Sequence, residues 1–432
     1  MGDYSRQVPE GLADILTAEC TVKRAAEATI RNVFLGHGLR EVSTPTLEYL
    51  DVFCRGQAVL EQEDMFKLTD PTGRILVIRP DVTIPVARMA ATNMKTQPKP
   101  LKLFYISDVF RVNRPGLEGQ REFTQAGVEL IGVPEVEADG ECISIAVGAL
   151  KTAGIEDFRI DVGQVEFFES IIDEIDIPAE DKESIRQFIK HKNLVAVEEF
   201  LDLKKVNGKL KDLLLSVPVL YGDAGEVLER AREFPLNEGA VKALDGIQRA
   251  CEIIDEYGYG EYISVDLGMI RELPYYTGII FKGFTRDLGY IICSGGRYDK
   301  LQGQFGEGSP ATGFAINISR VVQALYKQSR QQTFRQRSFV LKCVGPVRKR
   351  AINTAKKLRA AGLYIDIDMS GCSIEETVVY ARAKGVKGVI TLQEGSRLKV
   401  SDPVTGKHTI TSVPGIIAGL SSDRNKCISA WH

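Results

Sequence analysis

Gln125, Gly127 and Glu129 fall at alternate positions of "TQAGVEL", so on an extended strand all three face the same way. An amide and a carboxylate projecting side by side can grip an amine or a ring N–H, although a solvated strand face would show the same pattern. A second candidate is "PYYTGIIFKGF", Pro274 to Phe284, where Tyr275 and Tyr276 adjoin a glycine and Arg271 lies just upstream. Seven arginines, Arg79, Arg111, Arg114, Arg121, Arg271, Arg297 and Arg320, stand beside glycine, proline or aromatic residues in β-rich segments. Planar, permanently charged donors suit carboxylate or phosphate groups, and the grouping points to anion binding, while any one of them alone reads as a solvated surface arginine. "CSGGRYDKL" carries a Gly-Gly pair that permits close backbone approach, yet no Gly-Lys-Ser/Thr follows, so it is not a phosphate loop. Arg348, Lys349, Arg350, Lys356, Lys357 and Arg359 share one predicted helix, which is either a nucleic-acid patch or a solvated basic face.

These residues need elements to hold them. "LTAECTVKRAAEATIRNVFLGHG" has apolar residues at helical spacing and a stop at Gly36-His37-Gly38. "LREVSTPTLEYL" is β-branched but interrupted by Pro45, which predicts an edge or interface strand. Residues 101–132 read as strand, loop and strand, with the Pro/Gly-rich loop at 114–119. Three further β-type runs follow in 262–294, and an antiparallel sheet is the expected closure. Between them, about 165–260, lies a run of acid-rich helical segments that reads as an insertion. This arrangement predicts an α+β fold rather than a doubly wound parallel one. The C-terminal part alternates strand and helix and ends in a hairpin around "DPVTGK", which predicts a small α/β unit.

The 432 residues exceed one typical core, and the composition is that of a globular protein. The net charge of −3 hides an asymmetry: residues 327–432 carry 19 Lys/Arg against 7 Asp/Glu, or +12, leaving 36 against 51, or −15, for residues 1–326. The polar stretch 327–338 reads as the linker, giving domains 1–326 and 339–432. With no long apolar run and no leader-like start, a cytoplasmic chain is expected. The eight scattered cysteines and four histidines predict neither a disulfide framework nor a metal site.

Taken in order, these segments resemble the class II histidyl-tRNA synthetase family along nearly the whole chain. "STP" around Pro45 is similar to its dimer-forming first motif, "RPDVT" (79–83) to its Arg-Pro-Glu-Gly-Thr, and "FRVNRP…QREFTQAGVELIG" (110–132) to its second motif. "MIRELPYYTGIIF" (269–281) and "SGGRYDKL" (294–301) resemble its two histidine signatures, and "GFAINISR" (313–320) occupies its third motif. The resemblance implies a class II synthetase-like antiparallel sheet with flanking helices and a helical insertion, followed by an anticodon-binding-like domain.

The chain departs from that pattern where ATP and Mg²⁺ would be held. Asp81-Val82 replaces Glu-Gly, Asn113 and Ser319 replace glutamates, and Pro274 replaces the aspartate before the tyrosine pair. Hard metal ions need oxygen ligands, preferably charged, so activation of an amino acid is not expected. The amino-acid side is retained: by resemblance Asp81, Thr83, Arg111, Arg121, Gln125, Glu129, Arg271, Tyr275 and Tyr276 surround histidine. Together with "RPDVTIPVARMAA" this pattern resembles the regulatory subunits of ATP phosphoribosyltransferase, which implies a chain without catalytic residues or cofactor of its own. It implies self-dimerisation, assembly with short catalytic subunits into a hetero-octamer that opens histidine biosynthesis, and L-histidine as feedback effector, with no tRNA partner. Two alternatives stay open, a working histidine-tRNA ligase and a histidine-sensing RNA-binding protein.

Overall fold

The computed structural model describes residues 4–54, 56, 60–112, 120–206, 208–270, 273–286, 288–328, 338–343, 348–368, 370–393 and 395–418. The chain divides into two compact units, residues 1–330 and 331–432. The predicted loop 114–119 and most of the predicted linker lie outside the described residues.

The larger unit is built on a nine-stranded sheet. Its strands run in the order Arg40–Glu41, Leu101–Phe110, Glu122–Ile131, Ala311–Asn317, Ile291–Arg297, Ile279–Thr285, Phe158–Gln164, Ile263–Asp266 and Tyr221–Gly222. Neighbours are antiparallel except at two places, where Arg40–Glu41 joins Leu101–Phe110 and Ile263–Asp266 joins Phe158–Gln164 in parallel. The expected antiparallel sheet is thus present, with parallel pairing added at two places where long connections return a strand in the same sense as its neighbour. The segment around Pro45 also divides: Arg40–Glu41 edges this sheet, while Leu47–Tyr49 enters a separate three-stranded sheet with Lys67–Thr69 and Ile75–Ile78.

The helix Thr17–Gly36 turns Val22, Ala26, Ile30 and Phe34, four residues apart, onto one buried face. It ends where the Leu39 N–H returns to the Phe34 carbonyl. With the helices Glu137–Thr152 and Ile318–Gln328 it covers one side of the sheet, packing on Phe104, Ala126, Val128 and Leu130. Each such large side chain contributes roughly 1.5–3 kcal/mol by leaving water. Because strand residues alternate, the odd-numbered positions 125, 127 and 129 point to the opposite face. There the helix Thr83–Thr92 and the small sheet enclose a second cluster with Val77, Val82, Ile84, Leu103 and Tyr105.

Residues 165–256 form six helices around a core of their own, which includes Phe167, Phe168, Ile185, Leu201, Leu214 and Leu244. The Asp223 and Asn237 side chains accept N–H groups at the starts of the last two. No described helix is long and apolar enough to cross a membrane.

The smaller unit is a five-stranded sheet in the order Tyr364–Asp368, Ser338–Lys342, Gly388–Leu392, Leu398–Ser401 and His408–Thr411. The first three strands are parallel and the last two form the hairpin. The helix Ile374–Ala383 begins with a reciprocal capping box between Ser373 and Glu376. Lys342 and Asp368, at the ends of neighbouring strands and nearly inaccessible to solvent, form an ion pair of 2.8 Å.

Candidate functional site

The site lies on the sheet face opposite the helical layer, where two glycines stand in place of larger residues. Tyr105 is paired directly with Gly127 across two antiparallel strands, and Gly313 is paired with Glu129. A Cβ on Gly127 would fall on the Tyr105 ring and hydroxyl, and one on Gly313 would fall on the Glu129 carboxylate. The two glycines therefore let Tyr105 and Glu129 lie down against the sheet.

Glu129 is fully buried and accepts a hydrogen bond from the Tyr298 hydroxyl on Oε2. Burial pushes its carboxyl up from the ordinary 4.5 to about 8; hydrogen bonds from Tyr298 and Thr83 oppose the rise and the Asp81 charge adds to it. Three atoms of this hollow, Tyr105 Oη, Gln125 Oε1 and Glu129 Oε1, are buried without a well-formed hydrogen bond. The Thr83 hydroxyl lies close to both Tyr105 and Glu129, near enough to favour their charged forms. Under-bonded buried polar atoms cost about 1–3 kcal/mol each, so three on one sheet face, two of them sharing only the Thr83 hydroxyl, mark a position for a polar ligand.

The walls are aromatic. Tyr275 is buried, with its ring centroid 5.1 Å from that of Tyr276 and 6.0 Å from that of Tyr298. Tyr276 also packs against Val165, Met269 and Ile280. Asp81 opens the helix Thr83–Thr92, and its Oδ1 accepts the Ile84 N–H at 3.0 Å. Burial raises its carboxyl, opposed by the Ile84 N–H and by the Arg111 charge. Val82, fully buried, belongs to the same apolar cluster as Tyr105 and Tyr275.

The structure thus brings together Asp81, Thr83, Gln125, Glu129, Tyr275 and Tyr276. Arg111 stands at the rim, its Nε held by the Pro80 carbonyl at 2.8 Å and its guanidinium over the Phe123 ring. Arg121 is engaged elsewhere: it precedes the strand Glu122–Ile131 and ion-pairs with Glu10 at 3.6 Å. Arg271 and Arg114 lie outside the described residues.

Two predicted anion ligands are corrected. The Arg79 guanidinium is spent on the carbonyls of Thr44, Pro45 and Asp108. That of Arg297 is buried on Asp139 at 2.6 Å and on the carbonyls of Val133 and Glu135. Arg297, with all five N–H donors engaged, has none left for a ligand, and Arg79 turns its Nε and Nη1 donors to the backbone and braces loops instead. Arg320 donates to the Ile291 carbonyl and lies over the Tyr290 ring. On the basic helix, Arg350 bonds the Gln393 and Arg397 carbonyls and Arg359 bonds that of Ile365. Lys349 and Lys357, with Asn353 and Ser396, line a cleft of about 520 Å³.

Sequence reasoning missed Tyr105 and Tyr298. Gly127 in mid-strand was the available signal for the first, since such a glycine marks a close approach; Tyr298 had none beyond its place in the glycine-rich run.

A mixed sheet with this hollow and this helical insertion is the fold of the class II histidyl-tRNA synthetases: residues 11–321 match the histidyl-tRNA synthetase family model. The histidyl-tRNA synthetase of Nostoc superposes with a TM-score of 0.82 over 95% of this chain and 98% of its own, at 20% identity, a likeness of fold. Within that fold the chain is 41% identical to the ATP phosphoribosyltransferase regulatory subunit of Acetivibrio thermocellus over 96% of its length and all of the relative's. It is 40% identical to that of Alkaliphilus metalliredigens over 90% of this chain and 98% of the relative. A crystal structure described as an ATP phosphoribosyltransferase regulatory subunit/histidyl-tRNA synthetase from Bacillus halodurans superposes with a TM-score of 0.80 at 31% identity, covering 90% of this chain and 99% of that one. The chain belongs to the ATP phosphoribosyltransferase regulatory subunit family.

Proposed function

We propose that this chain is a non-catalytic subunit of ATP phosphoribosyltransferase that binds L-histidine in the Glu129 hollow and passes its occupancy to a short catalytic subunit. The supporting observation is the set of unpartnered buried atoms on Tyr105, Gln125 and Glu129, in a chain whose 311–320 segment carries no acid to hold a metal-bound nucleotide. Gln125 and Glu129 read the imidazole, while Thr83 and the free side of Asp81 hold the α-amino group. Arg111 and Arg271 meet the carboxylate, Tyr275 and Tyr276 close the hollow, and Arg121 supplies positive potential from farther along the strand. Regulation then requires only that histidine bind one arrangement of the complex better than another.

Self-dimerisation through the first motif has a surface to use: Leu47, Tyr49 and Leu68 share one face of the small sheet and are 44–46% exposed. Such dimers, assembled with the catalytic subunits, would make the hetero-octamer that opens histidine biosynthesis in the cytoplasm.

The test is histidine-dependent exchange of pyrophosphate into ATP by the purified chain with Mg²⁺, run beside calorimetric titration with L-histidine. The expected result is binding without exchange, and stimulation of a short catalytic subunit on mixing. Clear exchange would overturn the proposal in favour of a histidine-tRNA ligase; salt-dependent tRNA binding without stimulation would replace it with an RNA-binding sensor.

A further inference from the structure

We propose that Tyr105 is a specificity-determining residue of the hollow, its hydroxyl holding one ring nitrogen of the ligand while Glu129 holds the other. The inference rests on the histidine-binding reading above and names the contact that makes it selective.

The placement of Tyr105 follows from the strand register. Residues directly opposite each other on antiparallel strands share a face, so Tyr105 joins Gly127, and with it Gln125 and Glu129, on the site face. A side chain on Gly127 would force the tyrosine upright. Without one, the ring lies across the neighbouring strand and its hydroxyl ends beside the Gly127 Cα, between the Gln125 and Glu129 positions.

The tyrosine is 1% exposed, and its hydroxyl, one of the three buried atoms without a well-formed hydrogen bond, has the Thr83 hydroxyl beside it and bonding capacity to spare. Tyrosine hydroxyls in cores ordinarily find a partner. Phenylalanine would fill the same apolar volume without that cost, so the hydroxyl has a use in the bound state. Glu129, across the same floor, presents a second unpartnered oxygen, Oε1, its other oxygen being taken by Tyr298.

A five-membered ring with two nitrogens needs two polar contacts, one for an N–H and one for a lone pair. A hydroxyl both donates and accepts, and so does a carboxyl group that shares a proton with the ring. The pair therefore serves either tautomer. A benzene ring of similar size would leave both oxygens buried and unpaired, and sites built around such contacts reject isosteres lacking them strongly.

The experiment is calorimetric titration of the full chain and of a Tyr105→Phe variant with L-histidine, its two N-methyl isomers and L-phenylalanine. For the wild type, histidine binds and both N-methyl isomers and phenylalanine bind at least tenfold more weakly. For Tyr105→Phe, folded by circular dichroism, histidine weakens at least tenfold and the gap to one N-methyl isomer closes. Unchanged histidine affinity in the variant, or a wild type that binds one N-methyl isomer as well as histidine, would overturn the role of Tyr105 while leaving the histidine site standing. A wild type that does not bind histidine would instead refute the underlying reading. Should Tyr105→Phe fail to fold, the N-methyl series on the wild type still decides, since a ring nitrogen held by neither group tolerates its methyl.

Discussion

Replacing Glu129 by glutamine keeps the shape of the side chain and removes its titration. In the wild type the carboxyl is held near pH 8 when folded and falls to its ordinary 4.5 when the chain unfolds. Between those values the folded state binds a proton that the unfolded state does not, so stability falls as pH rises through this window. Below pH 4.5 both states are protonated and the difference vanishes. The full displacement corresponds to roughly 5 kcal/mol, and the part between pH 5 and pH 7 to roughly 3 kcal/mol. The Glu129→Gln variant lacks this slope. Its stability relative to wild type should rise by about 3 kcal/mol from pH 5 to pH 7, read from urea midpoints of both proteins at matched pH, where every other titrating group cancels. A difference that stays constant across the window would refute the claim that burial keeps Glu129 protonated. The same variant should lose histidine affinity, because its amide cannot share a proton with the imidazole.

Other substitutions test the neighbouring structure. Gly127→Ala should abolish histidine binding and destabilise the larger unit by about 1–3 kcal/mol, since the new Cβ falls on Tyr105 and comes within 2.8 Å of the Phe314 carbonyl; unchanged binding in a titration would contradict the floor. Lys342→Met should lower the stability of the smaller unit by about 1.5–3 kcal/mol, because the part-buried Asp368 carboxylate loses its ammonium partner and keeps only its Ser370 and Thr377 donors. The loss should shrink as pH falls below about 4, where the unfolded carboxyl takes up its proton first, because the Lys342 ammonium and the Ser370 and Thr377 hydroxyls hold the folded carboxyl well below its usual range; thermal unfolding at pH 7 and pH 3 reads both effects. Asp139→Asn should cost about 3 kcal/mol through the Arg297 guanidinium, with no direct change in histidine contacts.

Much of the fold was legible because local rules and tertiary structure agree. The four-residue spacing of Val22, Ala26, Ile30 and Phe34 specifies a helix and its buried face, and the run Glu122–Ile131 specifies a strand that the fold covers on both faces. The antiparallel body of the sheet was legible, and the two parallel pairings within it were not, since they depend on how long connections return. At the site, alternation placed Gln125 and Glu129 on one side of a strand, but no periodicity reveals that Tyr105 lies across Gly127 from the next strand. The arginines show the same limit. Arg297 looks like an anion ligand until the carbonyls of Val133 and Glu135, more than 160 residues away in sequence, are seen to occupy it.

The glycine floor has a kinetic consequence. Tyr105 and Glu129 fill the space that side chains on Gly127 and Gly313 would take and are themselves buried, so the floor has little room to change rotamer and keeps its shape when empty. Little reorganisation stands between encounter and complex, and association need not wait for the site to open. Occupancy can then follow the free concentration of a small metabolite on the timescale of its release alone, which is the property a sensor requires.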